Sequence, residues 1–442
     1  MSTFSLNKFL KNFLFVQSRS GLSIILGIAS SAILARALGP SGRGVLALSM
    51  LLPTLLATFL NLGVSSANIY NISTKRFTAS TVFKFSLQIW FFLSALGLLI
   101  GLVSIFIWGN NWFPNIPKPF LYVCLFLFPL NLLNNFMISI FQGQQRFKEY
   151  NLATLLVPVI ELILIFLFLW IMNLGIWGAI SAQAIGSFAA LGIGSFLLGR
   201  AIWTNEDNAQ IAECRRESIN YGIRAYLSTI MAFVNYRADL FIINLFMAPS
   251  FVGIYTMAVG LAEKLWILSC GISTVLLPKL GELNKDEAKR LELTPFIARW
   301  VLVITALAAS LTWFVIPYVI FFLYGENFMG AVIPFRILLI GVTLLASSRL
   351  LASDFESRGR PELNFYVALV IVTINISLNI LLIPSYGMTG AAIATTSAYS
   401  VNFFINIFLY KHLSGCDFRQ MFMPNSLDDE AFSFFMNWVK AR

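Results

Sequence analysis

The side chains best equipped for chemistry in this 442-residue sequence are charged groups stranded in apolar surroundings: Arg19, Arg224, Arg237 and Lys264 among the cations, Glu161, Asp239, Glu263 and Asp354 among the acids. A charge at mid-membrane depth costs about 2.5–3.5 kcal/mol on insertion scales, so each is expected to face a cavity or a partner. Guanidinium groups in a partly dry cleft grip phosphate through paired, charge-assisted bonds. Arg19 and Arg224 are accordingly expected to hold an anion. Arg237, Asp239, Glu263 and Lys264 read equally as gating or structural pairs, and Glu161 and Asp354 as ion-pairing or gating acids. Uncharged polar residues extend the pattern. Asn61, Ser65 and Asn68 share one helix side, and Asn220, Arg224, Ser228, Asn235 and Asp239 fall within a band roughly 100° wide. Both faces are expected to line a cleft, as is a third stripe of Arg336, Thr343, Ser347 and Asp354. Arg237 points away from the second stripe, and Arg336 reads as an outer-end residue whose charge snorkels to the interface.

These groups need elements to hold them, and composition says which kind. Hydrophobic residues make up 58% of the chain and charged ones 11%, with mean hydropathy +0.80. A soluble globule carries about 25% charged residues, so a soluble enzyme is excluded first. A helix needs about 20 apolar residues to cross the hydrocarbon layer. Charge-free runs longer than that separate Arg43 from Lys75, Lys84 from Lys118, Lys118 from Arg146 and Arg299 from Glu326. Two longer runs, Glu161 to Arg200 and Glu362 to Lys411, contain Asn173-Leu174-Gly175 and Pro384-Ser385-Tyr386-Gly387 breaks and hold parts of two spans each. The expected helices are 18–38, 44–71, 82–108, 119–141, 151–172, 176–198, 218–248, 251–278, 295–323, 331–356, 363–383 and 388–411. With the amino terminus inside, only Arg36, Arg43 and Lys118 of the 30 Lys and Arg fall in the outer loops. Both termini are therefore expected in the cytoplasm. The net charge of +10 follows from this topology and from anionic inner-leaflet lipid, with no nucleic acid partner required.

The two halves repeat. "LGPSGRGVLAL" from Leu38 aligns with "MAPSFVGIYTM" from Met247, matching Pro40 to Pro249, Ser41 to Ser250 and Gly44 to Gly253. "NLGIWGAISA" from Asn173 aligns with "SYGMTGAAIA" from Ser385, and the basic loops Gln142 to Asn151 and Phe355 to Asn364 correspond in the same order. Six helices per half is an even number, so the repeats share one orientation. The expected fold is an all-α membrane protein of about twelve transmembrane helices, in two parallel six-helix repeats around a central cleft. Its expected parts are a bundle over 1–198, a cytoplasmic linker over 199–217, a bundle over 218–412 and a cytoplasmic tail over 413–442. The tail reads as amphipathic, with Ser426 to Asp429 as a capping box and Phe432, Phe435, Met436 and Val439 on one side.

Other chemistries find little support. The single His412 excludes two-His zinc motifs, and no Gly-rich loop ends in Lys-Ser or Lys-Thr for ATP. The outer loops offer Arg36, Arg43, Lys118 and Glu326, too scattered for paired-carboxylate catalysis. Cys124, Cys214, Cys270 and Cys416 show no paired metal spacing and imply no disulfide framework. Gly21 to Ala37 imitates a cleaved signal, but eleven further spans favour an uncleaved first helix.

The motifs "ARALGPSGRGVLAL", "NLGVSSANIY", "YRADLFIINLFMAPSFVGIYTMAVGLAEKL", "GIWGAISA" and "GMTGAAIA", in that order along the chain, resemble the polysaccharide or O-antigen flippases of the multidrug/oligosaccharidyl-lipid/polysaccharide (MOP) exporter superfamily. The resemblance implies movement of an undecaprenyl-diphosphate-linked oligosaccharide from the cytoplasmic to the outer leaflet of a bacterial plasma membrane by alternating access. It implies a cationic cleft corresponding to Arg19, Arg224, Arg237 and Lys264, and no cofactor, with a coupling H+ or Na+ left open. Expected partners are the lipid-linked substrate, membrane lipids, and a polysaccharide polymerase with its chain-length regulator, around a monomeric transport unit. The alternative is a cation-coupled multidrug antiporter of the MATE type, for which Glu161 is the candidate ion-binding acid.

Overall fold

The computed structural model describes residues 6–199, 208–282 and 287–417, with 419, 421, 423, 424 and 428 of the tail; several side chains, among them those of residues 6–20 and of Asn220, Arg224 and Ser228, lie outside that description. The capping box and the apolar stripe expected in the tail lie outside it as well, apart from Asp428.

Among the described residues the chain is helical, without strands. It runs through α1 (Leu6–Phe59), α2 (Val64–Ser73), α3 (Ala79–Trp112), α4 (Lys118–Leu125), α5 (Leu127–Gly143), α6 (Phe147–Ile165) and α7 (Gly175–Leu198). It continues through α8 (Asn208–Phe246), α9 (Pro249–Ala262), α10 (Ile267–Glu282), α11 (Glu287–Val319), α12 (Val332–Ser357) and α13 (Pro361–Ser414). A π-helical turn over Phe166–Ile171 extends α6, another over Ile320–Tyr324 extends α11, and a 3-10 turn over Glu263–Trp266 joins α9 to α10.

Nine described helices are long and apolar enough to cross a membrane. Two of these, Gly21–Phe59 and Glu362–Ser414, are each bent in the middle, where Gly39 takes φ 63 and Gly387 φ 57. Those left-handed values favour glycine, and each turns one helix into two. With α9 and α10 counted as one interrupted span, the expected twelve are present. Large apolar side chains cover the outside, with Phe196 84% and Phe106 77% exposed. Such a surface is stable only against hydrocarbon.

The second span departs from expectation. Instead of running unbroken over 44–71 it turns at Leu60–Gly63, with Leu62 at φ 49 and Gly63 at φ 74, before α2 begins. Asn61 makes the turn: its amide nitrogen donates to Ser65 Oγ at 2.9 Å, and its oxygen accepts from Ser65 N at 3.3 Å. A Cβ at Gly63 would stand 2.3 Å from the Gly222 carbonyl oxygen, so nothing larger fits.

The described residues form two compact units. The first holds Ser23–Met257 with Phe322–Phe328; the second holds Ala258–Phe321 and Met329 onward, together with the start of α1. This division differs from the expected bundles over 1–198 and 218–412, because α8 and most of α9 pack with the amino-terminal helices. The reason is close backbone contact. Gly63 meets Gly222, and Gly44 and Gly253 meet reciprocally: a Cβ on Gly44 would lie 1.7 Å from the Pro249 oxygen, and one on Gly253 2.1 Å from the Pro40 oxygen. These are the positions matched between the repeats, so the two copies of the Pro-Ser-x-x-Gly turn touch symmetrically. Side chains add to the joint, with Asn71 donating to Ser218 Oγ at 2.8 Å and Arg76 pairing with Glu217. The short segment from Phe322 belongs to this unit because Arg36 donates to the Phe322 and Leu323 carbonyls.

In the second unit α12 packs between α11 and α13. The chain after α13 folds back onto α11. Arg299 donates to the carbonyl oxygens of Met421 and Met423 and pairs with Asp428, which also accepts from Trp300 Nε1 at 2.7 Å.

Candidate functional site

In the first unit, the polar residues expected along a cleft divide into those used for packing and those left with capacity. Asn68 is fully buried and donates to Ser86 Oγ and Ser139 Oγ, both at 3.0 Å. It ties α2 to α3 and α5, and this corrects the expectation that it lines a cleft. Asn61 and Ser65 serve the turn that starts α2. Asp239 is 2% exposed and accepts from Tyr255 Oη and Leu240 N, both at 2.8 Å, so its carboxylate clasps α8 to α9. Arg237, two residues earlier, is half-buried on the same helix. Asn235 is buried, and its side-chain oxygen has no hydrogen-bond partner among the described residues.

Glu161 lies near the middle of the fifth span. Expected to pair or gate, it has no hydrogen bond or ion pair among the described residues. Its side chain rests on Gly186 of α7, where an added Cβ would come within 2.5 Å of Glu161 Cγ.

In the second unit the eighth span loosens at the 3-10 turn Glu263–Trp266. A short 3-10 stretch inside a helical run often marks a functional hinge. Glu263 begins it, half-buried. Lys264 follows, exposed and without a hydrogen bond or ion pair among the described residues. Trp266 closes it, 8% exposed, with its face covered by the Arg349 guanidinium 4.1 Å from the ring centroid. Arg349 also reaches Cys270 Sγ at 3.0 Å. Stacking holds the flat guanidinium in one plane against the indole.

Arg349 is the functional candidate that sequence reasoning missed. Its signal was an arginine inside an apolar span, but it falls outside the periodic stripe on α12 that drew attention instead. That stripe faces α11. Arg336 stacks over Trp313 and donates to its carbonyl at 3.2 Å; Ser347 donates to the Ala298 carbonyl at 2.9 Å. Asp354 accepts from Arg290 Nε at 2.8 Å, with the pair 2% and 0% exposed. Arg358 pairs with the second Asp354 oxygen at 2.6 Å and with Glu287. The expectation that this face lines a cleft is thus corrected: its period was right, but the neighbour is the ninth span. The remaining expected anion ligands, Arg19 and Arg224, have side chains outside the described residues.

Helical spans with breaks at matched glycines, and charges held within them, define a multi-pass membrane protein of transporter architecture. A multidrug resistance transporter of the MATE family and MOP superfamily, in an inward-facing conformation, superposes with a TM-score of 0.73 at 13% identity, over 89% of this chain and 94% of its own. The lipid II flippase MurJ, in an inward closed conformation, does so with a TM-score of 0.73 at 16% identity, over 90% of this chain and 87% of its own. At such identities the likeness is one of fold. The chain belongs to the family described as polysaccharide biosynthesis protein, whose model matches residues 9–284. The probable low-salt glycan biosynthesis flippase Agl15 of Haloferax volcanii is 25% identical over 238 residues, 48% of either chain. The capsular polysaccharide biosynthesis protein CapF of Staphylococcus aureus is 28% identical over 145 residues, 32% of this chain and 36% of its own. The chain thus matches about half the length of the first of these curated relatives and about a third of the second. The first of these relatives is itself described as a probable flippase, and the fold is one that a MATE transporter and a lipid II flippase share.

Proposed function

We propose that the protein moves an undecaprenyl-diphosphate-linked oligosaccharide, the repeat unit of an O-antigen, capsule or exopolysaccharide, from the cytoplasmic to the outer leaflet by alternating access. The observation that carries this reading is the cationic turn of the eighth span, where Lys264 is unpaired among the described residues and Arg349 lies clamped over Trp266. Cations inside a membrane span are retained only where something offsets their desolvation. A diphosphate does so while it passes. Arg19, Arg224 and Arg237 are proposed as further contacts for that headgroup, with Asn235 and its unsatisfied oxygen on the sugar path. A headgroup with about two negative charges gains roughly 2.3 kcal/mol per charge per 100 mV on leaving a negative interior, which favours export without nucleotide hydrolysis.

In this reading both termini are cytoplasmic, the membrane is a bacterial plasma membrane, one chain is the transport unit, and the exported unit passes to a polymerase and chain-length regulator. Deleting the gene tests it. Cells should lose surface polysaccharide and accumulate its lipid-linked precursor, and plasmid-borne wild-type protein should restore both. Unchanged surface polysaccharide and precursor in the deletion strain would count against it.

A further inference from the structure

In the second unit α11 and α12 run antiparallel and leave a groove of about 430 Å³ between them. Its cause is side-chain size: α11 offers Ala306, Ala309 and Ser310 at successive turns, opposite Leu339, Ile340 and Leu344 of α12. Beyond Ala306 the helices close, where Ser347 donates to the Ala298 carbonyl. The open stretch from Ala306 to Trp313 is about 10 Å long at 1.5 Å per residue. No lining residue is ionisable. The lining Phe314 and Ile340 are exposed, and Leu307 and Leu311 continue the same bare apolar surface on α11. Such a surface lies against hydrocarbon, and an apolar groove in it takes up lipid chains rather than water.

One end of the groove carries a cation. Trp313, its end wall, is stacked beneath the Arg336 guanidinium, 5.3 Å from the ring centroid. Pro317 lies one turn after Trp313 and has no N–H, so the helix leaves the Trp313 carbonyl without its usual donor. Arg336 Nε fills that gap at 3.2 Å. One nitrogen thus fixes the fork, and its two terminal nitrogens have no hydrogen bond or ion pair among the described residues. Arg336 stands about 6 Å along α12 from Val332, a depth from which a long side chain reaches the headgroup layer. Leu339, Ile340 and Leu344 follow deeper on the same helix. A positive charge near the surface with an apolar slot leading inward matches the order of parts in an anionic phospholipid, phosphate first and chain after. A slot about 10 Å long takes part of one acyl chain and leaves most of a polyprenyl chain outside.

We propose that this groove binds one anionic phospholipid of the surrounding bilayer, with its phosphate on the Arg336 fork and an acyl chain between α11 and α12. Arg336 then does two things with separate nitrogens: Nε caps the carbonyl that Pro317 frees, and the terminal pair holds the phosphate. The bound chain fills the space left by the small residues of α11 and so ties the two helices together. The site uses neither Lys264 nor Arg349 and holds whatever the cargo.

Photo-crosslinking of the purified, full-length protein in phosphatidylcholine nanodiscs tests this without any transport substrate. The probes are phosphatidylglycerol and phosphatidylcholine, each with a diazirine in one acyl chain, and mass spectrometry locates the adducts. The expected result is phosphatidylglycerol adducts on the groove residues of α11 and α12 at about ten times the phosphatidylcholine yield. Arg336→Gln keeps a donor for the Trp313 carbonyl but removes the charge, and should bring the two yields level. Ser310→Phe, at an exposed position, fills the groove and should remove adducts there for both probes while those elsewhere stay. Equal labelling by the two probes in wild type overturns the proposal, as does an unchanged preference in Arg336→Gln. If one equivalent of undecaprenyl diphosphate displaces the label against an excess of the phosphatidylglycerol probe, the groove belongs to the carrier and the proposal fails too. Because the labelling measures no transport, the site stands or falls independently of the proposed cargo.

Discussion

At the scale of single residues, Arg349 carries the most. Its guanidinium is stacked on Trp266, and charge and shape are separable by substitution. Arg349→Ala is expected to abolish export while leaving membrane insertion and expression unchanged. Arg349→Lys should keep partial activity, because an ammonium retains the charge but loses the planar fork. Surface polysaccharide in complemented cells is the readout, and full export by the Ala variant would remove Arg349 from the account. Cysteines report on the same neighbourhood. Cys270 is exposed beside Arg349, whereas Cys124, Cys214 and Cys416 are buried. For Cys416, burial and the adjacent Asp417 push the thiol pKa up, which lowers its thiolate fraction. A membrane-permeant maleimide is expected to label Cys270 and spare the other three in the folded protein, with mass spectrometry locating the adduct.

At the scale of elements, two joints invite tests. The Gly44 and Gly253 contact brings matched turns of the two repeats together with no room for a methyl group. Gly44→Ala and Gly253→Ala should each destabilise by about 1–3 kcal/mol, as overpacking does. The double variant should cost less than the sum, since the first substitution already parts the helices. Thermal unfolding in detergent measures both. The Arg290 and Asp354 pair binds α11 to α12 with almost no exposure. Asp354→Ala should cost about 3–5 kcal/mol, because it strands a buried guanidinium, and adding Arg290→Met should recover most of that loss.

These elements also show what the sequence could reveal. Charge-free runs marked the spans, and Gly39 and Gly387 marked the bends, because a helix crossing hydrocarbon tolerates neither charge nor an unsatisfied backbone. The turn at Leu60–Gly63 was hidden, since Asn61, Ser65 and Asn68 also satisfy a helical period. Periodicity showed that Arg336, Thr343, Ser347 and Asp354 share a face, but not that α11 meets it. The buried partner of Asp354 on α11 was missed because Arg290 is far away in sequence and reads as a loop cation. Of the candidate site, its place within the spans was legible from the isolated charges. The stacking of Arg349 on Trp266 was not, because it joins the eighth span to the tenth.

For the whole molecule, the central claim is that the cations within the spans serve an anionic lipid cargo. The fold alone does not decide this, since a multidrug transporter and a lipid II flippase superpose on the chain with the same TM-score of 0.73. The proposal of an anionic cargo rests on the cations within the spans. The most direct measurement reconstitutes the purified protein in proteoliposomes and follows a fluorescent undecaprenyl-diphosphate oligosaccharide between leaflets, with a cationic dye tested in parallel. Lipid transfer is expected to accelerate under an inside-negative potential and to fail with Arg349→Ala, with no export of the dye. Dye export without lipid transfer would contradict it.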